Sequence, residues 1–185
     1  MRQIMTARIS PLVPPFPQKV QQNFDVIMPK GMPPLGIFKT LGHNPRVLDR
    51  MAKGSLLDKG SISVAERELV ILRTCALCKS EYEWGVHVTA FGKQTNFTTE
   101  QISDTVSPVI TATLWGVEQR LLLEMSDQLH HTQTLDNALW RSLCEHFDNA
   151  QLIELTMLAG LYHAVSFTVN AFQIDLEPFA ARFPH

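Results

Sequence analysis

Residues 63–87 read S-V-A-E-R-E-L-V-I-L-R-T-C-A-L-C-K-S-E-Y-E-W-G-V-H. Two helix starts are written into this stretch. Ser63 is followed three residues later by Glu66, and Ser80 three residues later by Glu83, the spacing of a reciprocal N-terminal capping box. The residues after each start favour helix, which predicts one helix from 64 to about Leu77 and a second through about Phe91. The part from Glu68 to His87 also concentrates carboxylates, two thiols, a hydroxyl and an imidazole in an otherwise apolar run. Glu83 and His87 are four apart, so on a helix they share a face and can touch. Glu68, one helix earlier, can fold back against them. Such groups are costly to bury unless they are paired or used.

Outward from this stretch, helix signals dominate. A helix is expected near 18–28, and Pro29, Pro33 and Pro34 then interrupt the chain. A short helix covers about 35–42. Asn44-Pro45 opens another, with Asn as cap and Pro at the first helical position, and Gly54 and Gly60 bracket a loop. Thr98-Thr-Glu-Gln101 is a third capping box, on a short helix ended by Pro108. Longer helices are expected from about Trp115 to Leu129 and over 136–147. Asp148-Asn-Ala-Gln151 caps a mostly apolar helix reaching about Phe172. Nothing alternates with period two for long enough to predict a strand, so the class is all-α. Residues 1–17 hold four of the eleven prolines, Pro11, Pro14, Pro15 and Pro17, and are expected to form an extended arm. Its Ile9, Leu12, Val13 and Phe16 suit it to lie on its own or a neighbouring subunit. Residues 18–185 then form a single domain.

Composition narrows the class. The chain has 185 residues, enough for one sizeable core. A net charge of −2 gives no electrostatic case for nucleic acid or an anionic membrane. No apolar run reaches the roughly 18 residues of a membrane span, and the first residues lack the apolar core of a signal peptide. Three cysteines, Cys75, Cys78 and Cys144, are too few and too odd for a disulfide framework, which fits a reducing cytoplasm.

The reactive residues admit several readings. Capping alone explains Ser80 and Glu83, yet a helix N-terminus also favours anions and could hold a carboxylate or an enolate. His87 gains a partner from the carboxylate one turn before it. Cys75-x-x-Cys78 invites a redox reading, but both thiols fall at the C-terminal end of the first helix, where the dipole opposes a thiolate. They read better as packed thiols, as does Cys144. A metal held by Glu68, Glu83 and His87 is weakly supported, because E-x-x-x-H supplies only two ligands. A Ser80–His87–Glu68 nucleophilic triad lacks the strand-turn-helix elbow that exposes a serine. His130, His131, His146, His163 and His185 show no ligand spacing and read as surface or packing residues. Tyr162 and Asn170, polar in an apolar helix, either line a cavity or are satisfied in the core.

E-R-E-L-V-I-L-R followed by S-E-Y-E-W-G-V-H resembles the carboxymuconolactone decarboxylase family, which includes the alkylhydroperoxidase D-like proteins. P-L-V-P-P-F-P, T-L-G-H-N-P-R-V-L and A-G-L-Y-H-A-V-S-F-T-V-N-A-F extend the likeness to a longer branch of that family. The resemblance implies an all-α fold whose subunits associate as trimers or hexamers, with no cofactor. In the peroxidase branch a Glu is followed twelve residues later by C-x-x-C, and then by a His four past the second Cys. On this sequence Glu68 and His87 take the Glu and His positions, while Ser80 and Glu83 replace the two cysteines. Cys75 and Cys78 lie five residues too early to stand in for them. What the resemblance implies is therefore proton-transfer chemistry of the decarboxylase kind on a small organic acid or lactone. His87 would be general acid/base, Glu83 or Glu68 would set its orientation, and Ser80 with the helix N-terminus would hold an oxyanion. Arg73, Tyr82 and Trp84 are candidates for contacting the substrate, although Arg73 could instead form an internal salt bridge with a nearby Glu. The alternatives are a thiol peroxidase working through Cys75 and Cys78, and a non-catalytic helical oligomer with a ligand pocket.

Overall fold

A computed structural model describes residues 7–184; His185 and the N-terminal residues considered for a signal peptide lie outside that range. The described residues form nine α-helices, one short 3-10 turn (Ala112–Leu114) and no strand. In chain order the helices are α1 (Gln18–Ile27), α2 (Gly36–Leu41), α3 (Pro45–Lys53), α4 (Val64–Leu77), α5 (Glu81–Thr95), α6 (Thr99–Asp104), α7 (Val117–Thr132), α8 (Asn137–His146) and α9 (Asn149–Phe172). Each coincides to within a few residues with a helix expected from the sequence.

The core is organised around α4. Ser63 starts it with both halves of the capping box in place: Ser63 Oγ accepts from Glu66 N–H, and Glu66 accepts from Ser63 N–H at 2.6 Å. Every residue from Arg67 to Cys75 is buried, which is the signature of a helix surrounded by others rather than lying on a surface. Helices α5, α7 and α9 pack around it. Leu69, Ile71, Leu72, Leu122, Met125, Leu155 and Leu158 are among the fully buried side chains that fill this centre.

By length and composition alone α9 could cross a membrane, with mean hydropathy 1.4 over eighteen residues. This corrects the view that no segment of the chain is apolar enough. In this fold Leu152, Leu155, Leu158, Tyr162 and Val165 bury one face of α9 in the core.

The arm runs without helix from Arg8 to Pro17. Arg8 N–H bonds the Phe172 carbonyl and Leu12 N–H that of Lys39. Leu12 and Phe16 pack on a small cluster of Val20, Phe24 and Leu48. At the other end, residues 174–184 lie across α5. Ala181 N–H bonds the Gly85 carbonyl at 3.2 Å, and a Cβ at Gly85 would drive into the Ala181 backbone.

The turn between α4 and α5 sets the geometry of everything that follows. Lys79 adopts a left-handed conformation, φ +54°. Ser80 N–H bonds Cys75 C=O at 2.8 Å and Lys79 N–H bonds Ala76 C=O at 2.9 Å. This is a Schellman termination. It reverses the chain in three residues, so α4 and α5 form a helical hairpin that brings Glu68 opposite His87. A left-handed conformation costs a side-chain-bearing residue energy that glycine avoids. Lys79→Gly is therefore expected to raise stability by about 0.5–1 kcal/mol, after the entropy cost of glycine is subtracted, measured as a shift in the urea unfolding midpoint at unchanged slope.

Candidate active site

Glu68 on α4 is 1% exposed. Its Oε1 accepts from Arg67 Nε and Nη2, both at 2.9 Å. The guanidinium is itself anchored, with Nη1 donating to the Leu57 carbonyl and the Phe91 ring beneath it at 4.9 Å. The other oxygen, Oε2, lies 2.7 Å from His87 Nδ1. A carboxylate held by an arginine only accepts, so Nδ1–H is the donor and the neutral ring carries its lone pair on Nε2. That lone pair meets the Tyr162 hydroxyl of α9 at 2.9 Å. The result is a continuous chain, Arg67–Glu68–His87–Tyr162, spanning three helices. Burial pushes the Tyr162 hydroxyl well above its ordinary pKa, reinforced by the charges of Glu83 and Glu68, so it serves as a proton donor to His87 rather than as a phenolate.

Ser80 and Glu83 differ from expectation. Ser80 is the cap residue of α5 but makes no side-chain capping bond; the predicted capping box is absent because the Schellman turn already engages its N–H with Cys75. Ser80 Oγ and Glu83 Oε1 are both buried without a hydrogen-bond partner among the described residues. Burial raises the Glu83 pKa from its ordinary 4.5 to about 7, against the pull that a protonated His87 exerts and with a further push from Glu177. Glu83 therefore does not orient His87, a task that belongs to Glu68; it acts on the ring through charge only. Unpartnered buried polar atoms are rare and call for an explanation. Here they sit one turn apart, next to a histidine, with a carboxyl poised near neutral pH.

Arg73, Tyr82 and Trp84, the candidates for substrate contact, are each engaged within the fold. Arg73 is buried in a bidentate pair with Asp127 (2.6 and 3.1 Å) and also bonds the Thr105 and Ser107 carbonyls. It is an internal salt bridge, made with an aspartate of α7 rather than a glutamate. Tyr82 accepts from Ile37 N–H and donates to Glu177 at 2.7 Å, fastening α2 and the C-terminal segment to α5. Trp84 donates to Thr105 Oγ1 and packs on Phe183. All three make internal contacts that hold elements of the fold together. A surface cleft of about 560 Å³ passes Lys79, Glu81, Tyr82 and Gln173, but none of Glu68, Ser80, Glu83 or His87 lines it.

Both motif thiols sit where the sequence places them. Cys75 is buried near the end of α4 and Cys78 caps that end. All three cysteines are free. Burial raises the pKa of both motif thiols, and for Cys75 the Glu83 charge adds to it. The histidines correct the sequence reading more sharply. His130 of α7 and His163 of α9 meet at 3.0 Å beside Cys78, where linear spacing gave no hint of a cluster. Two other contributors were underweighted by sequence. Arg67, adjacent to Glu68 in a buried helix, is the counter-charge. Tyr162 is the polar interruption of an apolar helix, and its role is fixed only once α9 lies against α5.

The all-α fold, with its carboxylate–histidine pair on a helical hairpin, is an alkylhydroperoxidase D-like helical fold. Residues 44–126, which carry Glu68, Ser80, Glu83 and His87 but not Tyr162, match the model of the carboxymuconolactone decarboxylase family. No curated protein matches the sequence. Among solved structures, the fold is similar to an uncharacterized peroxidase-related protein from Silicibacter sp. TM1040, at 17% identity and TM-score 0.78, covering 100% of this chain and 99% of that one. A second peroxidase-related protein with an alkylhydroperoxidase AhpD core, from Ralstonia eutropha JMP134, is 16% identical with TM-score 0.75, covering 92% and 93%. The debrominase Bmp8 is 14% identical with TM-score 0.66, covering 92% of each chain.

The Glu83 carboxyl has a measurable consequence. Its pKa is higher folded (about 7) than unfolded (about 4.5), so the folded state holds a proton that the unfolded state has lost. Its contribution is most favourable below about pH 4.5 and declines as pH rises to about 7, by on the order of 3 kcal/mol at most. Urea unfolding across that window should show this decline in the wild type and a flatter profile in Glu83→Gln. Identical profiles would mean that Glu83 titrates as an ordinary surface carboxyl.

Proposed function

We propose that the protein is a cofactor-free proton-transfer enzyme of the carboxymuconolactone decarboxylase kind, acting on a small organic acid or lactone. The observation that supports this reading is the buried Glu68–His87–Tyr162 chain with an unpartnered Glu83 carboxyl one turn away. In decarboxylation the carboxylate leaves as CO2 and its bonding pair flows into an adjacent carbonyl, giving an enolate. The Ser80 hydroxyl and the N-terminal amides of α5 suit that oxyanion. A proton must then reach carbon. Glu83, near half-protonated at neutral pH, can deliver it and become a carboxylate, and so can His87 where it enters the step as the imidazolium, with Glu68 stabilising that charge and a neutral ring left afterwards. Solvent restores the proton afterwards.

The same orphaned oxygens also suit a binding pocket without turnover, so product analysis separates the two readings. With a panel of carboxylated lactones and small keto acids followed by mass spectrometry, His87→Gln is expected to abolish turnover with helicity unchanged. Tyr162→Phe should lower kcat by about 10²-fold, within the range of acid–base contributions. Full activity in His87→Gln would sink the assignment. A bound acid that is never converted would favour the binding reading. The peroxidase alternative is disfavoured by the raised Cys75 and Cys78 pKa values, since the thiolate is the reactive form.

The enzyme is further proposed to work as a homo-oligomer in the cytoplasm, which suits its three free thiols. The support for assembly is the outer face of α9, where Ile153, Met157 and Phe167 are 62–66% exposed and Gly160 and Ala164 complete an apolar stripe at helical spacing. Met157→Glu should shift the molecular mass by light scattering to that of a single chain. An unchanged mass would place the contact elsewhere.

A further inference from the structure

Away from the Glu68–His87–Tyr162 chain, three ligand-type side chains converge from three helices. Cys78 caps α4, His130 lies in the last turn of α7, and His163 is midway along α9. His130 Nδ1 and His163 Nε2 are 3.0 Å apart, Cys78 Sγ is 3.9 Å from His130 Nδ1, and the three ligand atoms all fall within 4.8 Å of one another. All three residues are half-buried. We propose that Cys78, His130 and His163 form a binding site for a divalent transition cation of the zinc class, with a fourth tetrahedral position left for water or a small ligand.

Four observations support this site. The first is distance. Tetrahedral coordination at about 2.05 Å for Zn–N and 2.3 Å for Zn–S puts the ligand nitrogens about 3.3 Å apart and sulfur about 3.6 Å from nitrogen. The His130–His163 and Cys78–His130 pairs, at 3.0 and 3.9 Å, need to adjust by a few tenths of an ångström, and the Cys78–His163 pair, within 4.8 Å, closes by up to about 1 Å on binding. The second is orientation. His163 Nδ1 lies 2.8 Å from the Ala159 carbonyl, which accepts its proton and leaves the Nε2 lone pair pointing into the cluster. A backbone carbonyl on the far ring nitrogen is the usual support of a metal-ligating histidine. The third is charge. Helices α4 and α7 both end here, and the negative ends of their dipoles favour a cation. The fourth is the state of the groups without one. Burial lowers the His130 pKa, and His163 and His131 lower it further, the direction that favours the neutral ring a metal needs. Its ring then donates Nδ1–H to His163 and gives up that contact by moving the proton to Nε2.

The proton balance follows. Burial raises the Cys78 pKa, so the free site holds a thiol, and metal binding must expel that proton. A cation bound here therefore displaces the Cys78 proton. Coordination would also occupy the Cys78 sulfur and so remove it from any disulfide with Cys75.

The test uses untagged full-length protein titrated with Co2+, then with Zn2+. We expect one Co2+ per chain, with a near-ultraviolet thiolate-to-cobalt charge-transfer band and visible bands of tetrahedral intensity, all bleached by Zn2+ with release of one proton per chain in weak buffer. Cys144→Ser should keep the band, Cys78→Ser should lose it, and His163→Gln should weaken binding by at least about 100-fold, a ligand mattering no less than its supporting partners. Should His163→Gln lose its helical circular dichroism, His130→Asn at the end of α7 replaces it. No charge-transfer band in the wild type, or a band that survives Cys78→Ser or both histidine changes, would overturn the proposal.

Discussion

The hydrogen bond between Glu68 and His87 is the constraint on which the arrangement depends. Glu68 sits in the middle of the most buried helix of the molecule, where an unpaired carboxylate would be very costly. Arg67 supplies the opposite charge and His87 takes the second oxygen. Removing one member of such a buried set typically costs about 3–5 kcal/mol, because the remaining charge is stranded. The position of His87, and through it Tyr162, follows from satisfying Glu68. The hydrogen-bonded chain ties α4, α5 and α9 together in the buried core, so the geometry of the candidate site and the integrity of the fold rest on the same contacts.

The α4–α5 turn converts that constraint into a site. A left-handed Lys79 and two backbone hydrogen bonds reverse the chain in three residues, and α5 begins with its amides beside the end of α4. Because the Ser80 N–H is spent on the turn, Glu83 has no reason to reach back to it. The Glu83 carboxyl is left buried and unsatisfied, and its pKa rises as a direct result. A local rule is broken where chemistry would need it broken, as expected of a functional position.

Much of this was legible in advance. Helix starts at Ser63, Asn44, Thr98 and Asp148 were readable because capping is local: the residues that make the bond lie within three positions of one another. Glu68 and His87 could be singled out as candidates from the family-like spacing, and Cys75 and Cys78 as packed thiols from their place at a helix end. Ser80–Glu83 was misread because the same three-residue spacing also suits a turn that uses the N–H differently. Arg73, Tyr82 and Trp84 looked available because a sequence does not show partners 21 to 95 residues away.

By itself, the sequence determined the all-α class, the helix boundaries and the reactive residue types on the α4–α5 hairpin. Those properties depend on neighbours one to four positions apart, and any chain with this local pattern shares them. Only the tertiary structure decided which of those residues meet. Whether Glu68 reaches His87, whether Tyr162 completes the chain, and whether His130 and His163 converge on Cys78 all depend on how three helices cross. Crossing is set by side-chain packing around α4, a collective property of residues far apart in sequence.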